Sequence, residues 1–558
     1  MNSTPETSAD GTLDDSTLAS ASLSEANQGL VEDYDRQVYT SNAFWYAAPG
    51  HLRAAAHLYG LEAPPLQRTR VLELGCAGGG NLLPFALAHP EARVIGVDLS
   101  SVQVAHGQRM IDALGLENLQ LRAMSLTDIT PDFGQFDYII AHGVFSWVPH
   151  EVREAMMRIL RDNLAPGGIG YISYNTYPGW KAGDIVRDAM LLHSHSAARD
   201  EDRLPAAKAM LNLLSEGIAP NNPLGPSLRA AVAQLRRQSD YYIAHEYLET
   251  FNNPCYLLEF VNLADQFGLA HVGDAESQVE LGETYGPQVR LNHSLVALGQ
   301  SREMRQQYLD FAVGRNFRKS LLVHQARADG LPPAPDMARL ADLRWAGFFT
   351  ETDPPAQAAP GVRFFKNHRG QPLHSNEAAV LALIPEFSRR WPASARVEEL
   401  VEAARPGLPG DDQTAHKALQ AALQTLFRLN MLRYTLEPSP YDADAAGAKD
   451  ETDTPCLIPG FQAIFEARRD PTFGVGTFNL WHETVNLQLK EAEAWLLPRI
   501  DGRHSRKQLA TMLRDALSQG IVPDNDGRSL KGQRNLDQKA ATLVKNLLDL
   551  LQRQALLR

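Results

Sequence analysis

With 558 residues the chain has room for roughly three or four domains, and a hydrophobic content of 44% is ample to fill their cores. Its 53 basic and 66 acidic side chains leave a formal net charge of -13, which argues against general affinity for nucleic acid or an anionic membrane. No apolar run reaches membrane-spanning length, and the N-terminus lacks the basic and apolar regions of a secretion signal. The three scattered cysteines (Cys76, Cys255, Cys456) suggest neither a disulfide framework nor a zinc site, so a reducing cytoplasm is the expected compartment.

Residues 1–30 are rich in Ser, Thr, Ala, Asp and Glu without apolar period and are expected to form a disordered tail. Tyr34, Tyr39, Phe44, Trp45 and Tyr46 then crowd together, either packed on a sheet edge or forming a lid over a ligand. A helix over 52–61 leads to Val71-Leu-Glu-Leu-Gly-Cys-Ala-Gly-Gly-Gly80, a buried strand breaking into a glycine turn, with a helix over 82–88 after it. Only glycine lets backbone approach a ligand so closely. Glu73, inside the strand, would repel a pyrophosphate but suits the ammonium and sulfonium of S-adenosylmethionine. Val94-Ile-Gly-Val-Asp98 is a second strand ending in an acid, where a ribose-binding carboxylate belongs. Apolar runs over 119–125, 136–142 and 164–174, with helical stretches between, complete the rhythm of a doubly wound parallel α/β sheet. Acids in both of the first two strands favour a methyltransferase over a dehydrogenase.

These placements assign Glu73, Gly75, Ala77, Gly78, Gly79 and Asn81 to the methionine end of the cofactor and Asp98 with Leu99 to the ribose. Met124 and Ser125 fall to the adenine, and His142 at the end of the fourth strand lies near the methyl group. Methyl transfer is an in-line displacement that needs a deprotonated nucleophile, aligned and shielded from water, and no metal. On the acceptor side His142, Trp147, Tyr174 and Asn175 are the expected catalytic residues, with Glu246 a further candidate base. Phe145, Trp147, Tyr177 and Trp180 suit a cationic acceptor held face-on. The competing reading makes these aromatics core or insertion packing and His142 a structural histidine.

Beyond the fifth strand, 179–252 reads as a helical insertion, with helices over 184–195, 204–214 and 227–237, that shapes the substrate entrance or makes a dimer. A helix over 255–268 ending in glycine and a strand over 269–273 begin the completion of the core, 253–326. Residues 308–324 mix basic and apolar side chains at helix-like spacing and are expected to pack against the core, with Arg315 and Arg318 as partners for the chain's excess acid. A Pro/Ala/Asp-rich linker is expected over 326–360. Two small winged-helix-like α+β domains follow, 361–436 and 456–558. They are linked by a weak repeat: Arg396-Val-Glu-Glu-Leu400 resembles Arg506-Lys-Gln-Leu509, and short helices end near Pro385 and Pro498. Neither copy carries a dense Lys/Arg stripe, so docking or assembly is favoured over DNA binding.

The segments Glu73-Leu-Gly-Cys-Ala-Gly-Gly-Gly-Asn81, Met124-Ser-Leu-Thr-Asp-Ile129, His142-Gly-Val-Phe-Ser-Trp-Val-Pro149, Ser173-Tyr-Asn-Thr-Tyr-Pro-Gly-Trp180 and His245-Glu-Tyr-Leu-Glu249 carry a more specific likeness. Over about 35–325 the chain resembles class I bacterial methyltransferases with a methyltransferase regulatory domain. The best-studied relatives are rickettsial protein lysine methyltransferases of the surface protein outer membrane protein B. The resemblance implies S-adenosylmethionine as cofactor, a surface or exported protein met before secretion as substrate, and a homodimer, with neither nucleic acid nor membrane insertion. Ala77 stands where the general pattern has a second glycine, and Ser125 where many relatives carry an acid for the adenine. Cofactor binding is expected to survive both. The residues alone leave open a small-molecule N- or O-methyltransferase and a cofactor-sensing interaction protein.

Overall fold

Nearly continuous burial along β1 (Arg70–Leu74) and β4 (Phe136–Ala141), with side chains alternating between the two faces, feeds two cores at once. Val71, Tyr138 and Ile140 face one side of the sheet, and Leu72, Leu74, Ile139 and Ala141 the other. In the computed structural model, which describes residues 40–195, 197, 199–249, 251–441, 453–468 and 475–558, these strands are central to a seven-stranded sheet. The expected tail 1–30, Tyr34 and Tyr39 lie outside those residues. The other strands are β2 (Arg93–Asp98), β3 (Leu119–Ala123), β5 (Leu164–Asn175), β6 (Leu269–Asp274) and β7 (Phe317–His324), in the order β3-β2-β1-β4-β5-β7-β6. Strands β1 to β5 run parallel, and β7 is antiparallel to both β5 and β6. The reversal of strand order beside β1 opens a crevice at the carboxyl ends of β1 and β4.

Strand β7 corrects the helical reading of 308–324. The helix Arg302–Val313 stops at Gly314, which takes a left-handed φ of +62°, and the chain turns into a strand. Wedged between β5 and β6, β7 is buried on both faces, so its side chains need no strict alternation and can mimic helical spacing. Arg315 and Arg318 do find buried acids. Asp310, with no exposed surface, accepts from Arg315 Nε at 2.5 Å and from Arg318 Nε and Nη2 at 2.8 Å each. Asp310→Ala would take the shared carboxylate from two buried guanidinium groups, leaving Arg318 the Glu280 contact at 3.4 Å, and a loss of roughly 3–5 kcal/mol in chemical denaturation is expected.

The insertion between β5 and the helix Leu257–Gln266 is four helices, Lys181–Ser194, Asp200–Glu216, Gly225–Leu235 and Asp240–Tyr247, around a small core of its own. The stretch read as a linker is partly structured. β8 (Arg344–Ala346) pairs with β12 (Ala395–Arg396) and β13 (Arg433–Thr435), and β9 (Phe349–Thr352) with β10 (Arg363–Asn367), which pairs with β11 (Pro372–Ser375). Fully buried Trp345 packs on Phe427 and Tyr434 there. Ala, Pro and Asp dominate the composition, while four apolar anchors (Leu340, Leu343, Trp345, Phe349) decide the packing. Pro385 likewise sits inside the helix Ala378–Arg390 rather than at its end. The helices Glu491–Leu496, Arg506–Gln519 and Asp537–Arg553 form the C-terminal domain. Its leucines share one continuous core with the β1 face that carries Val71.

Candidate active site

A cavity of about 510 Å³ occupies the crevice, bounded by the ends of β1, β2, β4 and β5, the segment 40–44 and the insertion. The loop after β1 turns through Gly75 (φ +70°), Ala77 (φ +48°) and Gly79 (φ +75°). A Cβ at Gly75 would lie 2.3 Å from Val144 Cγ2, and one at Gly80 2.1 Å from the Ser41 carbonyl oxygen, so both positions demand glycine. Ala77 tolerates its left-handed backbone because Asp98 Oδ2 accepts its N–H at 2.7 Å, while Oδ1 accepts the Ser100 N–H at 2.9 Å.

Glu73 is 3% exposed. Its Oε1 accepts from Asn81 Nδ2 at 2.9 Å, and Oε2 has no partner in the protein. Burial lifts its pKa to about 8; the Asn81 bond opposes the rise and Asp98 adds to it. Gln103 Oε1, on the same cavity, is also buried without a partner. Orphaned acceptors are costly to bury unless a ligand meets them, and a carboxylate among them calls for a cation. The acidic wall fits S-adenosylmethionine: Glu73 and Gln103 would meet its charged end, and the Asp98 carboxylate at the end of β2 would face the ribose.

Of the residues expected at the site, Glu73, Gly75, Ala77, Asn81, Asp98, Leu99, Ser125, His142, Trp147 and Asn175 line this one cavity. Gly78 and Gly79 turn the loop behind it. Met124 contributes its N–H to the Asp98 carbonyl at 2.9 Å while its side chain packs into the core. Tyr174 points to the opposite face of β5 from Asn175, stacked on Phe260 at 4.2 Å with its hydroxyl 3.2 Å from Ser320 Oγ. It is a core tyrosine, and so is not placed for catalysis. Phe145 is buried against Phe260, and Tyr177 already holds a cation, Lys181 Nζ at 3.5 Å from its ring centre.

His142 lines the cavity with Nδ1 2.9 Å from Ser173 Oγ and 3.0 Å from the Tyr171 hydroxyl, and its ring centre lies 4.0 Å from that of Phe44. Burial, with Lys319 adding to it, lowers its pKa to about 3. A neutral imidazole that weakly basic shapes the wall but is poorly suited to take a proton from an amine. Asn175 is anchored through its N–H to Ser146 Oγ at 2.9 Å, and its Nδ2 donates to Asn252 Oδ1 at 3.1 Å. Across from it the insertion contributes Trp180, Tyr242, Glu246 and Glu249. Burial, then the neighbouring Glu249, push Glu246 up to about 7.

Several wall residues escaped the reading of the sequence: Ser41, Asn42, Gln103, Asn316 and Phe317. Gln103 was findable, since it sits in the first turn of the helix Ser101–Leu114 directly after Asp98. Asn316 and Phe317 arrive with β7, whose Phe317 pairs with Asn175, and no local signal announces them.

Strand order, the acids Glu73 in β1 and Asp98 at the end of β2, and the orphaned carboxylate oxygen together define a class I methyltransferase. Residues 71–168 match the family described as "Methyltransferase domain", 239–324 that described as "Predicted methyltransferase regulatory domain", and 469–556 that described as "PKMT, C-terminal winged helix domain". The chain is 28% identical over 562 residues to the uncharacterized protein RP789 of Rickettsia prowazekii, covering 97% of each. It is 36% identical over 234 residues to the uncharacterized protein RP028 of the same organism, spanning 42% of this chain and 94% of that one. In three dimensions it is similar to PKMT2 from Rickettsia typhi, also solved in complex with AdoHcy, with a TM-score of 0.76, 24% identity and coverage of 93% and 99%. The chain belongs to the S-adenosylmethionine-dependent methyltransferases that carry a methyltransferase regulatory domain.

The raised pKa of Glu73 has a measurable consequence. In the free site its carboxyl is mostly protonated at pH 7 and ionises near about 8. A cationic ligand favours the carboxylate, so cofactor binding at pH 7 should release a proton, and affinity should rise with pH up to about 8. Calorimetry in buffers of different ionisation enthalpy measures the release directly. A buffer-independent heat with flat affinity would mean that Glu73 is already ionised or does not meet the ligand's charge.

Proposed function

We propose that the chain is a protein lysine methyltransferase. The observation that carries this reading is the acceptor end of the cavity, where Glu246 and Glu249 stand together beside Trp180 and Tyr242, opposite the cofactor loop. Two carboxylates and two aromatic rings suit a cationic amine rather than a hydroxyl or a carboxylate acceptor. S-adenosylmethionine, when bound, supplies an electrophilic methyl group on a sulfonium. The protein's own part is to draw in the ammonium, take its proton and keep water out. Glu246, with a pKa of about 7, is matched to accept that proton at neutral pH.

Likeness to PKMT2 across 93% of the chain and the match to the PKMT winged-helix family support a protein as the acceptor. The family resemblance supports a surface or exported protein, methylated in the cytoplasm before secretion. The insertion leaves Ile185, Leu192, Leu213 and Leu224 exposed, which supports pairing of two copies. Among the described residues no helix is long and apolar enough to cross a membrane, and the three cysteines are free.

Labelled S-adenosylmethionine incubated with the host proteome and its small-metabolite fraction tests the acceptor. Label in a protein band, mapped to lysine by mass spectrometry, is expected. Label confined to metabolites would overturn the protein reading and leave the C-terminal domains with an architectural role.

A further inference from the structure

The C-terminal domain meets the cofactor loop at Val475, whose Cγ2 would lie 3.3 Å from a Cβ on Gly78, and at one turn. Residues 478–484 form a hairpin closed by the Phe478–Thr484 bridge and by the Asn479 N–H donating to the Glu483 carbonyl at 3.0 Å. At its tip His482 adopts a left-handed φ of +58° and is 8% exposed. Its Nε2 lies 3.0 Å from Asn81 Oδ1, which also accepts the Phe44 N–H at 2.9 Å. With two donors on its oxygen, the Asn81 amide must turn Nδ2 toward Glu73 Oε1, which it meets at 2.9 Å. The proton on His482 therefore sits at Nε2. Burial keeps the ring neutral, with a pKa of about 4.

The hairpin is itself held on both flanks. Glu483 accepts from Arg433 Nε at 2.8 Å and Asn479 Nδ2 at 2.8 Å, and His368 Nε2 lies 3.1 Å away, so two middle-domain side chains fix it. On the other side Thr484 Oγ1 donates to the Ala43 carbonyl at 2.9 Å, and the Gly476 N–H to the Ser41 carbonyl at 2.8 Å. Ser41 passes the contact on: its Oγ accepts the Gly80 N–H at 2.7 Å and donates to the Cys76 carbonyl at 3.3 Å. Glycine loop, segment 41–44 and hairpin are thus three stacked layers, and among the described residues His482 is the hairpin residue that bonds the Asn81 side chain.

We propose that His482 is a positioning residue of the cofactor site: through Asn81 it aims the free oxygen of Glu73 into the cavity, so that seating of the C-terminal domain and binding of S-adenosylmethionine are coupled. Without the His482 donor the Asn81 amide is held by the Phe44 N–H alone, and the partner of Glu73 is less firmly fixed. The proposal concerns the cofactor alone and stands whatever the acceptor is. Coupling is reciprocal, so ligand should also protect the hairpin.

The test uses the full chain and calorimetric titration with S-adenosylmethionine. His482→Ala should weaken affinity about tenfold, the scale of one buried hydrogen bond. His482→Gln, which can keep a donor there, should lose no more than about twofold. In an Asn81→Ala background His482→Ala should add nothing, because the route is already cut. Should the alanine protein not fold, His482→Phe keeps the ring volume and removes the donor, with the same tenfold loss expected. Hydrogen exchange at 476–485 should slow when ligand is added to the unmodified protein and not to the His482→Ala protein. Unchanged affinity in the donor-less variants, losses that simply add to that of Asn81→Ala, or exchange indifferent to ligand would each overturn the proposal.

Discussion

Asp98→Ala should weaken S-adenosylmethionine binding by on the order of 100-fold, about 3 kcal/mol, in a calorimetric titration. The size comes from two losses at one carboxylate. Asp98 presents the acceptor expected for the ribose hydroxyls, and charge-assisted bonds of that kind are the strong ones. It also accepts the N–H groups of Ala77 and Ser100, which hold the loop after β1 and start the helix after β2. Alanine removes both functions, and Ala77, with φ at +48° and no glycine to relieve it, is then free to leave the conformation that opens the loop. Asp98→Asn keeps one acceptor oxygen and should lose less. Wild-type affinity in Asp98→Ala would mean that the ribose does not lie at the end of β2.

The cofactor half of the site was legible because its signals are local. A strand, a glycine turn and an acid at a strand end are written within a few residues of one another, and the parallel sheet forces their side chains to one edge. Legibility fails where contacts are distant or two-sided. Strand β7 hid because burial on both faces removes the period of two that marks a strand. Tyr174 reads as catalytic because it stands with Asn175 at the end of the fifth strand, but successive residues of a strand face opposite sides, and only one can reach the cavity. The middle domain's first strands hid in a Pro/Asp-rich stretch, since a handful of anchors such as Trp345 outweighs average composition once they are buried. His482 is 401 residues from Asn81 and belongs to a turn without a motif, so nothing local joins them. Glu246 was visible only as a polar helix position; the fold supplies the neighbours that raise its pKa.

Glu246→Gln should lower the rate of methyl transfer by roughly 10²–10⁴-fold with little change in cofactor affinity, the range for losing a positioned general base. A lysine ammonium, with a reference pKa near 10.4, arrives protonated and cannot act as a nucleophile until it gives that proton up. Two cavity carboxylates are raised, and Glu246 is the one at the insertion end; Glu73, raised to about 8, lies at the end of β1 with the cofactor loop, and His142 at about 3 is too weak a base. The sign of the pH dependence follows. Below about 7 Glu246 is protonated and cannot accept; above it the carboxylate is ready, so the wild-type rate at saturating substrate should climb through about 7. In Glu246→Gln that limb should vanish along with the rate. Glu249→Gln separates position from charge. Removing the neighbouring carboxylate eases the repulsion that helps raise Glu246, so the limb should move to lower pH while transfer survives. If Glu246→Gln kept both rate and limb, the proton would leave by another route, and the acidic end of the cavity would serve to attract the acceptor rather than to deprotonate it.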